Sequence, residues 1–87
     1  MRTDKKERLL ELMQLNTLVQ ITDKKEVLIE NCLKIAQYND IFLKVITRNM
    51  IVQVWGSGMR LYCKGGSGSI IVRGVIDSVE MIRRGHL

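Results

Sequence analysis

The stretch VQVWG at residues 52–56 decides the fold, because IIVRG at residues 70–74 repeats it at matching phase. Apolar, mostly β-branched side chains recur in both copies, and a glycine closes each. Such residues favour a pleated sheet, in which successive side chains point to opposite faces. The pair predicts strands that are equivalent hairpins of a meander or successive turns of a β-solenoid.

Turn residues divide the remaining sequence into strands at about nine-residue spacing. Asn39-Asp40 has the chemistry of a two-residue hairpin turn, and the GSG run at residues 56–58 predicts another tight reversal. Residues 17–83 are therefore expected to form a mainly β domain of seven or eight short, mostly antiparallel strands. A small sandwich, a barrel and a short β-solenoid all fit this pattern. The predicted strands are residues 18–22, 26–31, 33–38, 41–47, 50–55, 59–63, 69–76 and 79–82.

The chain also has a predicted N-terminal helix and a predicted frayed tail, which are residues 1–16 and 84–87. Asp4 can cap the helix, and Glu7 stands at the capping-box spacing behind it. A helix of this length is marginal alone in water, so it must pack on the β domain, a partner or a membrane surface. Its apolar stripe includes Leu9, Leu12 and Met13.

The two-residue period assigns the strand side chains to two faces. One of these faces, which we call the mixed face, carries aromatic side chains together with aliphatic and basic ones. A face exposed only to solvent would be more polar. We therefore expect the helix or another chain to cover part of this mixed face. The interface candidates are Phe42, Trp55 and Tyr62 on the mixed face and Leu9, Leu12 and Met13 on the helix. The aliphatic face, expected to be the core, carries Ile41, Leu43, Val45, Val52, Val54, Met59, Leu61, Cys63, Ile70, Val72 and Ile76.

Composition favours a small interaction domain over an enzyme. The 87 residues carry a formal charge of +5 without a dense basic cluster. His86, the one histidine, has no orienting partner for acid–base catalysis, and Cys32 and Cys63 lack the C-x-x-C spacing of metal and redox sites. We expect no catalytic residue, metal or cofactor, and we leave open whether the two thiols pair. Gly56 and Gly74 are expected to mark bulges or close backbone approaches rather than a ligand site.

The expected location of the protein depends on whether its sequence carries targeting signals. The sequence shows neither a signal peptide nor an apolar run of the roughly 20 residues that span a bilayer. The cytoplasm is therefore the expected compartment, with at most weak peripheral contact between the basic helix and an anionic membrane.

Binding of single-stranded nucleic acid by a small basic β-barrel is the alternative function. Aromatic side chains can stack on bases while basic side chains neutralise phosphates. The aliphatic residues among them make a protein interface the preferred interpretation. The side chains with this mixture are Phe42, Trp55, Tyr62, Lys44, Arg60 and Arg73.

An ordered set of short motifs resembles the YabP/YqfC family of sporulation proteins, and the YqfC branch more closely. IENC at residues 29–32 is followed by Tyr38. V-x-G-x-x-M-x-L then occupies residues 54–61, and V-x-G-x-I-x-S-V-E occupies residues 72–80. The resemblance covers roughly residues 5–82.

The resemblance implies a non-enzymatic protein of endospore-forming bacteria, made in the mother cell for spore development. It also implies a protein partner, such as a sporulation membrane protein on the mother-cell side of the forespore. Together with the mixed face, it leads us to expect a self-associating or partner-binding β module that forms a homo-oligomer. Partner identity and oligomeric state stay open at this point.

Overall fold

The structure is a computed structural model that describes residues 18–64 and 68–84. These residues form one six-stranded antiparallel sheet with the order β1-β2-β6-β5-β4-β3, which confirms the predicted mainly β class. The predicted helix, with Leu9, Leu12 and Met13, lies outside the described residues, as does most of the predicted tail. The strands are β1 Leu18–Thr22, β2 Glu26–Glu30, β3 Cys32–Tyr38, β4 Phe42–Thr47, β5 Met50–Lys64 and β6 Ser69–Arg83.

The sheet has fewer strands than predicted because two of them are long. The tight reversal predicted at residues 56–58 is wrong, since β5 runs through these residues from Met50 to Lys64. Pairing with β6 shifts register between Trp55 and Gly56 and again between Ser57 and Arg60. Glycine allows both a turn and a bulge, and here it bends a strand instead of reversing it. The break predicted near residues 77–78 likewise lies inside β6.

The two long strands divide the sheet into two halves. β2 pairs with β6 only from Ile70 to Arg73, whereas β4 pairs with β5 only from Ile51 to Trp55. The first half-sheet therefore comprises β1, β2, the start of β6 and the end of β5. The second half-sheet comprises the end of β6, the start of β5, β4 and β3.

The core lies between the inner faces of the two half-sheets. Buried residues of both halves form one hydrophobic cluster, which means that the bent sheet packs against itself. Most of the predicted core face is confirmed, but two of its members are exposed. Cys63 is exposed near the end of β5, and Ile41 is exposed because β4 begins only at Phe42. Asn39 Oδ1 instead accepts the backbone N–H groups of Ile41 and Phe42, each at 2.9 Å. The cluster contains Val27, Ile29, Leu43, Val45, Val52, Val54, Met59, Ile70, Val72 and Ile76.

The bend depends on two glycines where β5 and β6 approach closely. A Cβ at Gly56 would overlap the carbonyl oxygen of Val75. At Gly74, where φ is +150°, a Cβ would lie 2.8 Å from the Gly58 oxygen and 2.9 Å from the Met59 Cα. Backbone atoms of the neighbouring strand leave no room for a side chain at either position, so glycine sets how tightly the strands approach.

Candidate protein-interaction surface

An aromatic pair stands on the outer face of the second half-sheet. Phe42 of β4 lies directly opposite Trp55 of β5, and their ring centroids are 4.2 Å apart at an interplanar angle of 38°. Phe42 is only 9% exposed, whereas Trp55 is 45% exposed. Phe42 was predicted as an interface candidate on the same face as Trp55; it lies on that face but is buried, so it supports the exposed indole.

An aliphatic row lies on the same outer face, about 13 Å along β5 from the aromatic pair. Ile46, Ile51 and Ile82 are successive cross-strand partners on β4, β5 and β6, and Ile82 is exposed. A parallel row of polar side chains separates the two apolar groups. This row consists of Lys44, Gln53 and Glu80.

We call this surface the aromatic face and define it by Phe42, Trp55, Ile46, Ile51 and Ile82, with the polar row between them. Its strands are joined by continuous pairing across the half-sheet, which holds the side chains at fixed spacing. An exposed indole beside aliphatic and hydrogen-bonding groups has the composition of a protein-binding surface.

Tyr62 lies on the outer face of the first half-sheet, apart from the aromatic face. The guanidinium carbon of Arg73 stands 5.4 Å from the Tyr62 ring centroid, and Arg73 Nε donates to Glu26 Oε1 at 2.9 Å. The sequence pattern placed Tyr62, Phe42 and Trp55 on one face. The bend after Trp55 instead turns the end of β5 into the other half-sheet, so the single surface is divided into two.

The basic residues of the nucleic-acid alternative are likewise divided. Lys44 belongs to the aromatic face, whereas Arg60 and Arg73 face each other across β5 and β6 in the first half-sheet. Arg73 is also engaged by Glu26, which offsets its charge locally.

Sequence reasoning missed the role of Tyr38 at the end of β3. Its hydroxyl donates to the Met59 carbonyl and accepts the Leu61 N–H, both at 3.2 Å. One side chain of the second half-sheet thus occupies backbone groups of the first. A tyrosine at the last position of a strand is the only sequence signal for this contact.

The two cysteines are free thiols. Cys32 is half-buried at the start of β3, and Cys63 is exposed near the end of β5. Burial raises the pKa of the Cys32 thiol, and the nearby Cys63 adds to this effect while a backbone hydrogen bond from Lys34 opposes it. A raised pKa lowers the thiolate fraction, so Cys32 is a poor nucleophile near neutral pH.

Residues 18–64 and 68–84 contain no group of three or more histidine, cysteine, aspartate or glutamate side chains that could hold a metal ion. The same residues include no helix long and apolar enough to cross a membrane.

Comparison of the chain with protein-family models, with curated proteins and with solved structures found no match. The motif residues that carry the family resemblance lie in the core and at the bend of this fold. Val54, Met59 and Val72 are buried in the core, and Gly56 and Gly74 lie at the bend. The motifs therefore describe how the sheet bends and packs.

Proposed function

We propose that this protein is a non-enzymatic sporulation protein that binds a protein partner through the aromatic face. The resemblance to the YabP/YqfC family supports the biological setting. It suggests a sporulation membrane protein as the partner. The protein would bind this partner from the mother-cell cytoplasm, at the forespore membrane.

The exposed Trp55 indole is the observation that carries the proposal. Tryptophan is among the residues that most often contribute large binding energies at protein interfaces. Phe42 supports one side of the indole, and the pairing of β4 with β5 fixes the backbone below it. Trp55 is therefore held in place before binding, which lowers the entropy lost when a partner covers it.

The polar row gives the surface a means of selecting its partner. Lys44 and Glu80 flank Gln53, so a positive, a neutral and a negative group cross the half-sheet in line. A partner that buries the Trp55 side and the aliphatic row must also match this order of charges. Unmatched charges at an interface lower the affinity, and hence the row excludes wrong partners.

Trp55→Glu tests the proposal, and Tyr62→Glu is a matched control because both aromatic side chains are 45% exposed. The tagged proteins are used to capture membrane proteins from sporulating cells of an endospore-forming bacterium, and captured proteins are identified by mass spectrometry. We expect the wild type and Tyr62→Glu to retain a sporulation membrane protein that Trp55→Glu loses. Direct binding to that purified protein is then measured, with a loss of about 100-fold or more expected for Trp55→Glu.

Several outcomes would contradict the proposal. Equal binding by both variants would remove the aromatic face from the interface, and loss with Tyr62→Glu alone would move the interface to the first half-sheet. Binding of a single-stranded oligonucleotide that falls steeply with salt and survives Trp55→Glu would favour the nucleic-acid alternative. A charged residue at an exposed position should leave the fold intact. Circular dichroism checks that each variant keeps its β-sheet.

A further inference from the structure

The sequence repeat gives the two half-sheets the same arrangement of strands. The first half-sheet pairs β1 and β2 with the start of β6 and ends with the last residues of β5. The second half-sheet pairs β3 and β4 with the start of β5 and ends with the last residues of β6. Gly56 and Gly74, which end the two copies of the repeat, donate equivalent hydrogen bonds to Ile41 and Lys25, the residues just before β4 and β2. β3 of one half-sheet therefore takes the place of β1 of the other.

The seam between β3 and the end of β5 is closed by hydrogen bonds. At one end of β3, the Tyr38 hydroxyl occupies the Met59 carbonyl and the Leu61 N–H. At the other end, the Cys32 N–H donates to the Gly68 carbonyl at 2.8 Å. β3 therefore lies along the edge of β5 from its first residue to its last, and it joins the two half-sheets.

The equivalent seam lies between β1 and the end of β6, and no hydrogen bond joins these two strands in the part of the chain that the structure describes. Ile21 takes the place of Tyr38, since Ile21 pairs with Val27 and Tyr38 pairs with the equivalent Leu43. An isoleucine side chain neither donates nor accepts a hydrogen bond, so it cannot bridge the two half-sheets as Tyr38 does.

Apolar rows of the core end on both sides of this seam. Val27 and Val52 are fully buried, but their cross-strand partners Ile21 and Met81 are 51% and 53% exposed. Val79, also on β6, is partly buried and packs against the core. We call this surface the open seam and define it by Ile21, Val79 and Met81. It is an apolar opening into the core on which a further apolar segment can pack.

We propose that the open seam is covered by the segment of this chain that precedes β1, residues 1–17. The position of β1 supports this occupant. By strand equivalence Leu18 corresponds to Lys34, so the residues just before Leu18 correspond to Cys32 and Leu33 at the closed seam. The chain therefore enters β1 beside the open seam, at the place where its counterpart β3 already contacts the other half-sheet.

The sequence of the segment complements the open seam. Its predicted helix carries the apolar stripe of Leu9, Leu12 and Met13 and ends at residue 16, so only Thr17 separates it from β1. Twelve helical residues after the Asp4 cap extend about 18 Å. The end of β6, residues 78–83, extends about 20 Å. A helix that is marginal alone in water and an apolar opening of matching length each gain stability from the contact.

This inference goes beyond the proposed function, because it assigns a docking site to a segment of the same chain rather than to a different protein. The open seam leads to the inner side of the second half-sheet, whereas the aromatic face lies on its outer side. Cover of the seam therefore leaves Trp55 free for a partner.

Oxidation of Met81 by hydrogen peroxide tests whether the seam is covered in the whole chain. A covered thioether reacts only when the segment moves away, so Met81 of the native wild type should react about tenfold or more slowly than in the urea-unfolded chain. Met59, which is 2% exposed, gives the rate of a buried methionine in the same sample. Peptide mapping by mass spectrometry measures each rate. An uncovered Met81 should react within about twofold of the unfolded rate, because it is 53% exposed, and that result overturns the proposal.

Leu12→Lys and Gln14→Lys test whether the predicted helix is the cover. Leu12 belongs to the apolar stripe and Gln14 lies on the polar side of the predicted helix, so the two variants add the same charge to opposite sides. Leu12→Lys should raise the oxidation rate of Met81 about fivefold or more, whereas Gln14→Lys should leave it unchanged. An equal effect of the two variants would overturn the proposal. So would protection of Met81 that disappears on dilution, because cover by a second copy depends on concentration.

A double-mutant cycle tests the same contact through stability. Leu12→Gln should lower the urea midpoint of the wild type, because it weakens the cover over the core. The same change should have little effect where Ile21→Gln has already made the seam polar. An unchanged midpoint for Leu12→Gln alone, or an equal loss in both backgrounds, overturns the proposal. Because Trp55 takes no part in this contact, Trp55→Glu should keep Met81 protected even where partner binding is lost.

Discussion

Substituting alanine at Gly56 and, separately, at Gly58 should distinguish two reasons for glycine at the bend. Gly58 has a φ of +58° but no atom within 4 Å of an added Cβ. Alanine there pays only for the left-handed backbone, about 1 kcal/mol. At Gly56 the backbone conformation is ordinary, but the added Cβ would overlap the Val75 carbonyl oxygen. A backbone atom in a paired strand cannot move aside cheaply.

The cost at Gly56 should therefore reach the upper end of overpacking penalties, about 3 kcal/mol. For a domain of this size, that corresponds to a melting temperature roughly 15 °C lower, against roughly 5 °C for Gly58→Ala. Urea denaturation followed by the fluorescence of Trp55, the single tryptophan, measures both variants. Equal losses for the two alanines, or a Gly56→Ala loss below about 1 kcal/mol, would refute the close approach of β5 and β6.

Two further predictions concern groups buried or bonded at the ends of strands. Tyr38→Phe should lower the free energy of unfolding by about 1–3 kcal/mol, because the Met59 carbonyl and the Leu61 N–H both lose their partner. Urea denaturation measures this loss, and an unchanged midpoint would contradict the contact. The raised pKa of Cys32 should slow its alkylation by iodoacetamide in the native protein relative to the urea-unfolded chain near pH 8, because the native thiol is less ionised. Peptide mapping by mass spectrometry follows this reaction, and equal rates in the two states would contradict the burial of Cys32.

The side-chain period predicted most of the core from the sequence, although Ile41 and Cys63 are exposed, and it could not predict how the sheet bends. Val52 and Val54 were assigned to the core face by alternation, and both are fully buried. Alternation depends only on neighbours along one strand. Whether glycine turns or bends a strand depends on what packs beside it, which is why the GSG run at residues 56–58 was misread.

The candidate surface was predictable in part, for the same reason. Trp55 was expected on the mixed face, and it stands exposed on the outer face of the second half-sheet. Phe42 was expected beside it, but its burial depends on the neighbouring indole and cannot be read from its own strand. Tyr62 was grouped with them because the bend between the half-sheets was not visible in the sequence.

The long hairpin of β5 and β6 has a consequence for how the protein unfolds. β5 and β6 run through both half-sheets, so each half-sheet shares these two strands with the other. Opening one half-sheet would remove hydrogen-bonding partners from β5 and β6, on which the other half-sheet also depends. The described β domain should therefore melt in a single cooperative transition, without a stable half-folded state. Its slowest-exchanging amides should belong to the central strands β5 and β6.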